Sequence, residues 1–242
     1  MIYISYGLPR SGSTFAANIA EQTLNLASVK SNTEIGSISE ILSNISSRFV
    51  ATTEELEQII AGAQQEKLYF VKCHCAPSSI IRKAFEEQRA AGHATYRHPG
   101  DMVVSLMDAY TQRPQQFPAG KTFEQAVASY QSAFRNFEMW RQLPHIIPVS
   151  FESFTTDSHE FAYRIGKQIG VTLSDEDLTA VIGNANTQFH QFNVGQSGRH
   201  CDVLTDRQNF DIQHTFSTLI ALCSQSLNLS MHREKTRPET AH

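Results

Sequence analysis

The strongest constraint on this chain lies at its N-terminus. Ile2-Tyr3-Ile4-Ser5-Tyr6 is rich in β-branched and aromatic residues and predicts a short buried strand. Gly7-Leu8-Pro9-Arg10-Ser11-Gly12-Ser13-Thr14 follows, with the two-glycine spacing of a phosphate-binding loop. Residues 14–26 then place Phe15, Ile19 and Leu26 near one helical face. A strand, a glycine loop and a helix in that order can cradle an anion. Successive backbone N–H groups curl round it, and the helix N-terminus adds partial positive charge. Arg10 contributes a fixed charge, and Ser13 and Thr14 contribute hydroxyl donors.

One departure narrows the ligand. Nucleoside-triphosphatase loops carry a lysine after the second glycine, where it reaches the terminal phosphates. Here that position is Ser13, and the cation stands earlier, at Arg10. No apolar strand ends in an aspartate suited to hold Mg²⁺. The loop is therefore expected to bind a phosphate-bearing nucleotide with no metal.

Further along, helices are expected at residues 35–45 and 53–63, the second opened by a capping box of Thr52 and Glu55. Residues 68–71 predict a strand that ends at Lys72-Cys73-His74. Pro77 opens a helix to about residue 91, closed by Gly92. Residues 94–97 form a strand, and Asp101 caps a helix over 102–110. After a loop at 113–121, Thr122 and Gln125 start a helix to about Trp140. A strand at 146–151 contains Pro148, which suggests an edge. Helices at 157–169 and 174–186, an irregular stretch at 187–205 and a helix at 208–227 complete the pattern. The fold class is α/β, a single domain over residues 1–231 with a mostly parallel central sheet flanked by helices. The tail at 232–242 is expected to be mobile.

The bulk composition limits the partners. The 242 residues suit one large domain, or at most two small ones, and 40% hydrophobic with 18% charged residues is an ordinary globular balance. A net charge of −4 argues against a nucleic-acid binder. No apolar run nears the roughly 18 residues needed to span a bilayer. Met1 is followed by no signal-peptide pattern, so a cytoplasmic protein is expected. Cys73, Cys75, Cys201 and Cys223 are then expected to be free thiols. Cys73-His74-Cys75 invites a zinc reading. Strand alternation would put both thiols on one face and the imidazole on the other, and no second ligand pair follows, so no metal is expected.

Four segments in order resemble the sulfotransferase family, which transfers sulfuryl groups from 3′-phosphoadenosine 5′-phosphosulfate (PAPS). Leu8-Pro9-Arg10-Ser11-Gly12-Ser13-Thr14 is similar to its 5′-phosphosulfate loop, and Arg10 lies within family range, since cytosolic members use lysine there and Golgi members often arginine. Phe70-Val71-Lys72-Cys73-His74-Cys75-Ala76-Pro77 is similar to its strand ending in Lys-x-His. Tyr96-Arg97-His98-Pro99-Gly100-Asp101-Met102-Val103-Val104-Ser105 is similar to its 3′-phosphate motif, an arginine followed eight residues later by a serine. Val149-Ser150-Phe151-Glu152-Ser153-Phe154 is similar to the strand whose aromatic residue lies against the adenine. Asn193-Val194-Gly195-Gln196-Ser197-Gly198 falls where the family often has Arg-Lys-Gly-x-x-Gly. Both glycines are present, the basic pair is not, and Arg199 stands nearby. The resemblance covers roughly residues 1–200.

The resemblance implies a P-loop-like fold, PAPS as co-substrate and PAP, the desulfated nucleotide, as product. It implies that Pro9, Arg10, Ser11, Gly12, Ser13, Thr14 and Phe15 surround the 5′-phosphosulfate. Arg97 and Ser105 would take the 3′-phosphate, with Gly195, Gly198 and Arg199, and Phe151 the adenine. His74 would be the base, Lys72 would contact the sulfuryl group, and Arg10 would neutralise the leaving phosphate. The acceptor would be a hydroxyl or amine of a small molecule or carbohydrate, near residues 35–50 and 107–140 and the late loop at 187–205. Met107, Tyr110, Phe117, Phe137 and Trp140 are apolar candidates for its pocket. Two other classes stay open: an ATP-dependent small-molecule kinase, and a nucleotide-binding regulatory protein without catalysis. Oligomeric state is not legible.

Overall fold

Strand β1 (Ile2–Gly7) is buried along its whole length and lies at the centre of the molecule. The computed structural model describes residues 1–43, 48–112, 122–187 and 196–236. Within these, β1 is flanked by β3 (Tyr69–Cys73) and β4 (Ala90–Tyr96), with β2 (Phe49–Val50) and β5 (Ile146–Ser150) at the edges. All pairings are parallel, in the order β2-β3-β1-β4-β5. Ile4 pairs with Val71 on one side and Gly92 on the other. Because consecutive strands lie on opposite sides of β1, a crevice opens beyond the strand C-termini, where open α/β sheets bind ligands.

Period-two alternation sends the two faces of β1 into two cores. Tyr3 packs with Phe15, Ile19 and Leu24 of α1 (Ser13–Ser31), Phe161 and Ile165 of α7 (Ser158–Gln168) and Val181 of α8 (Asp175–Thr187). Ile2, Ile4 and Tyr6 pack on the other side. There they meet α2 (Thr53–Gly62), α3 (Ser79–Glu86), α4 (Pro99–Gln112) and α5 (Phe123–Arg141), together with α10 (Asp206–Thr215) and α11 (Ser217–Thr236). Trp140 is fully buried there, stacked on Tyr6 at 5.3 Å, and its Nε1 donates to the Cys75 carbonyl at 2.9 Å. Both expected capping boxes, Thr52 with Glu55 and Thr122 with Gln125, are present.

Several element boundaries differ from expectation, each for a tertiary reason. The helix expected over 35–45 is reduced, among the described residues, to one 3₁₀ turn at Ile38–Glu40. Gly36 lies so close to the Tyr69 ring that a Cβ would sit 2.2 Å from it, and Ile35 bridges to Leu68 instead. The helix expected to open at Pro77 starts instead at Ser79, capped by the Ser78 side chain, and ends at Glu86, where Gln88, at φ 58°, turns the chain. Ala90, Ala91 and Gly92 belong to β4, and a Cβ on Gly92 would sit 2.1 Å from the Ile4 carbonyl oxygen. Phe151 opens a short helix, α6 (Phe151–Thr156), rather than closing β5. The final helix breaks at Phe216 into α10 and α11. The expected loop at 113–121, Phe117 and residues 237–242 lie outside the described residues.

Candidate active site

The loop after β1 is shaped by contacts that exclude side chains. A Cβ on Gly7 would sit 2.1 Å from Thr95 Oγ1 and 2.5 Å from Ser13 Cβ. Gly12 has φ 77°, and a Cβ there would sit 2.6 Å from the Phe151 ring. Arg10 itself is held at φ 65°, a region that non-glycine residues enter rarely. Ser11 is fully buried and braces the loop: its hydroxyl donates to the Leu8 carbonyl at 2.6 Å and meets Thr95 Oγ1 at 2.9 Å. The Pro9 carbonyl accepts from Tyr130 Oη at 3.1 Å. Phe15 packs in the core against Phe154. Gly12 is the N-cap of α1 and supplies no capping side chain. Phe15 N turns back to the Gly12 carbonyl at 2.9 Å, and no side chain caps the Ser13 and Thr14 N–H groups ahead of it, an arrangement that suits an anion.

Strand β3 and the residue after it bring two candidate side chains to this loop. Lys72 Nζ donates to Thr14 Oγ1 at 2.8 Å. Burial, and then the charge of Arg48, lower the Lys72 pKa to about 8. His74 Nδ1 lies 2.6 Å from the Gly7 carbonyl oxygen. A carbonyl only accepts, so Nδ1 carries the hydrogen and Nε2 carries the lone pair. Burial, and then the neighbouring Lys72 charge, bring the His74 pKa down to about 4, so the imidazole is neutral at physiological pH.

The end of strand β4 and helix α4 build a second candidate corner. Arg97 is 6% exposed, with its guanidinium 4.2 Å above the Phe151 ring centroid. One Nη2 contact goes to the Gln196 carbonyl, and Asp101 Oδ2 lies 3.8 Å away. Arg97 Nε is buried with no hydrogen-bond partner among the described residues. Ser105 accepts from Arg10 Nε at 3.0 Å, so this serine links the two corners. Asp101 does not cap its own helix by the expected route. Its carboxylate accepts from Gly198 N at 2.8 Å, His200 N at 3.1 Å and His200 Nδ1 at 2.9 Å, and so ties the late segment down to α4. His200 also stacks on His98, with ring centroids 4.0 Å apart.

The late segment departs from expectation in part. Gly198 takes φ 84° where the chain turns into the short helix α9 (His200–Val203). Arg199 donates to Asp108 Oδ2 at 2.8 Å and also lies near enough to Arg97 to disfavour its charge. Gly195 lies outside the described residues. Phe137 and Trp140, considered for the acceptor pocket, are fully buried in the core and pack on Tyr96 and Tyr6 instead. Met107 is half-buried against the same core.

Arg48 was not singled out by sequence reasoning. It stands just before β2, pairs with Glu21 and Asn18 of α1, and lies 5.8 Å from the Phe70 ring centroid. Its carbonyl accepts from Lys72 N at 2.8 Å. The available signal was faint: Arg48-Phe49-Val50 ahead of the Thr52 capping box has the form of a strand end feeding a helix. Among the described residues, no group of three or more His, Cys, Asp or Glu is placed to hold a metal ion, and no helix is long and apolar enough to cross a membrane.

With this geometry in place, the comparisons with known proteins are specific. The Sulfotransferase domain family matches residues 3–209, and the chain belongs to that family. No curated protein sequence gives a significant match. The structure is similar to mouse sulfotransferase SULT7A1 complexed with PAP, at 12% identity and a TM-score of 0.63, over 95% of this chain and 88% of that one. It is also similar to retinol dehydratase in complex with androsterone and inactive cofactor PAP, at 13% identity and a TM-score of 0.61, over 90% and 80% of the two chains. A putative steroid sulphotransferase from Arabidopsis thaliana gives 14% identity and a TM-score of 0.53, over 90% and 75%. At these identities the structural likeness carries the fold, a P-loop-like parallel sheet flanked by helices. Family membership makes sulfuryl transfer the class of chemistry.

Proposed function

We propose that this chain transfers a sulfuryl group from PAPS to a hydroxyl or amine of a small-molecule or carbohydrate acceptor, with His74 as general base and without a metal. The observation that carries the reading is the 2.6 Å contact between His74 Nδ1 and the Gly7 carbonyl. It fixes the tautomer, frees Nε2 to accept a proton, and ties the base to the phosphate loop itself.

The donor set fits the nucleotide. The uncapped α1 N-terminus, the glycine cradle and Arg10 suit a 5′-phosphosulfate. The orphaned Arg97 Nε, together with Ser105, which accepts from Arg10, suits a 3′-phosphate. Phe151 holds Arg97 from below and would border the adenine. Gly198 shapes the turn that covers this corner, and Gly195 and Arg199 are proposed to complete it.

His74 Nε2 would take the acceptor proton as the acceptor oxygen or nitrogen attacks sulfur. Lys72 would move from Thr14 to the transferring group, and Arg10 would stabilise charge on the departing phosphate oxygen. These are the positioning and charge-stabilising demands of group transfer from a phosphate ester. Retinol dehydratase has been solved with retinol and with androsterone, and a small alcohol of that kind is a reasonable first acceptor here. The four free cysteines suit a reducing cytoplasm. Residues 1–231 are proposed to form the catalytic domain.

The test is a screen of alcohols and amines with labelled PAPS, repeated with His74→Ala. Transfer to an acceptor should be lost by about 10²-fold or more in the variant while PAP still binds, since the base touches the acceptor and not the nucleotide. Unchanged turnover in His74→Ala would remove the base assignment.

A further inference from the structure

His74 lies between two cysteines that its proposed role does not use. Cys73 ends β3 and is fully buried, whereas Cys75 is half-buried where the chain bends away from the sheet. Both side chains pack against the same apolar cluster, and each shifts the other's ionisation. Cys75 is also fixed from outside, by Trp140 Nε1 on its carbonyl and by Thr53 beside its sulfur. Cys201 is exposed on α9, and Cys223 is buried on α11. Both flank other parts of the fold.

We propose that Cys73 and Cys75 form a peroxide-sensitive dithiol whose closure to a disulfide displaces His74 and switches the enzyme off. The consequence for catalysis rests on the assignment of His74 as base; the bridge itself does not. Residues two apart on extended chain have Cα atoms roughly 6.6 Å apart, at the upper edge of what a disulfide spans, and a bend brings them closer.

The chemistry assigns distinct roles to the two sulfurs. The neighbouring Cys73 thiol favours a thiolate at Cys75, while burial holds Cys73 as the thiol. The Cys75 thiolate attacks one oxygen of hydrogen peroxide, the O–O bond breaks, and hydroxide leaves. Cys75 becomes a sulfenic acid. The Cys73 sulfur then displaces the sulfenic hydroxyl group. Its proton neutralises the hydroxide released in the first step, and the sulfenic oxygen departs as water once protonated from solvent. In sum, two thiols and one peroxide give one disulfide and two waters. Two cysteine sulfurs are oxidised and two peroxide oxygens are reduced. A thiol reductant reverses the bridge by exchange.

Closure has a direct effect on the base. A disulfide requires the two Cβ atoms within about 4.5 Å of each other, and a bridge spanning one residue meets that by turning the two peptide planes either side of His74. The Nδ1 contact with Gly7 depends on those planes. Its loss would free the ring and the tautomer together.

The experiment uses the Cys201→Ser protein, which removes the exposed thiol, treated with hydrogen peroxide and then alkylated for peptide mapping. The expected result is a peptide holding Cys73 and Cys75 that has lost two hydrogens and resists alkylation until dithiothreitol is added. Sulfuryl transfer should fall by about 10²-fold or more, the span a misplaced general base forfeits, and return with the reductant. The His74 imidazole NMR signals should shift in parallel, and Cys75→Ser should keep its activity in peroxide. Full alkylation of both cysteines after peroxide, or oxidation of Cys75 to sulfinic acid with no bridge, overturns the proposal. So does a bridge that leaves the His74 signals unmoved. The peptide and NMR readouts decide the matter even where no acceptor is turned over, which is the outcome that would count against the sulfotransferase reading instead.

Discussion

Lys72 sets a pH limit that can be worked out from its surroundings. Its ammonium is held at about 8 rather than 10.5, chiefly by burial and then by Arg48. That displacement is about 3 kcal/mol against the charged form. A sulfuryl oxygen about 4 Å away would return about 4 kcal/mol at an effective dielectric of 20, enough to restore the charge once the nucleotide is bound. Free enzyme should therefore lose Lys72 charge above pH 8, and the nucleotide complex should not. The assay is the rate against pH above 7, where His74 and the second phosphate ionisation (near ~6) are already past. An aliphatic alcohol acceptor adds no titrating group there. kcat/KM for PAPS should fall about tenfold per pH unit above about 8, because it reports the free enzyme, while kcat stays flat. Lys72→Arg keeps its charge and should abolish the alkaline limb. If that limb persists at the same pH in Lys72→Arg, another group titrates and the electrostatic account of Lys72 is wrong.

Two more outcomes follow from the two corners of the site. Arg97→Ala should weaken PAP by about tenfold to a hundredfold, the loss of a charge-assisted pair, and leave adenosine 5′-phosphosulfate little changed; calorimetry on both nucleotides separates a 3′-phosphate role from a general loss of structure. Gly12→Ala combines a positive φ with a 2.6 Å clash on Phe151. Denaturant unfolding should show a loss of about 2–4 kcal/mol, and PAP binding should fall with it, whereas a stability within about 0.5 kcal/mol of the parent would show that the loop relaxes freely.

What the sequence makes legible here is what is local. The β1 strand, its glycine loop, α1 and both capping boxes depend on residues within a few positions of each other, and all are read from pattern alone. Lys72 and His74 follow for the same reason, since a strand end delivers both to one side. Where the reading departs from the structure, a distant contact decides. Ala90-Ala91-Gly92 continues a helical pattern, and only the close approach of Ile4 explains why it must be strand. Asp101 has the look of an N-cap because its true partners, Gly198 and His200, lie about a hundred residues on. Trp140 and Phe137 look like pocket linings until Tyr6 and Tyr96 are seen to cover them. Arg48 carries no motif, and its meeting with α1 depends on how β2 joins the sheet edge.

The central claim is that this loop and the Arg97 corner together recognise PAPS. Titrating the protein with PAP and with Mg-ATP, each in the same buffer, tests it most directly. The account predicts one PAP bound per chain with no requirement for a divalent cation, and Mg-ATP weaker by about tenfold or more, because Ser13 stands where a triphosphate needs lysine. Tight, Mg²⁺-dependent ATP binding with no measurable affinity for PAP would contradict it.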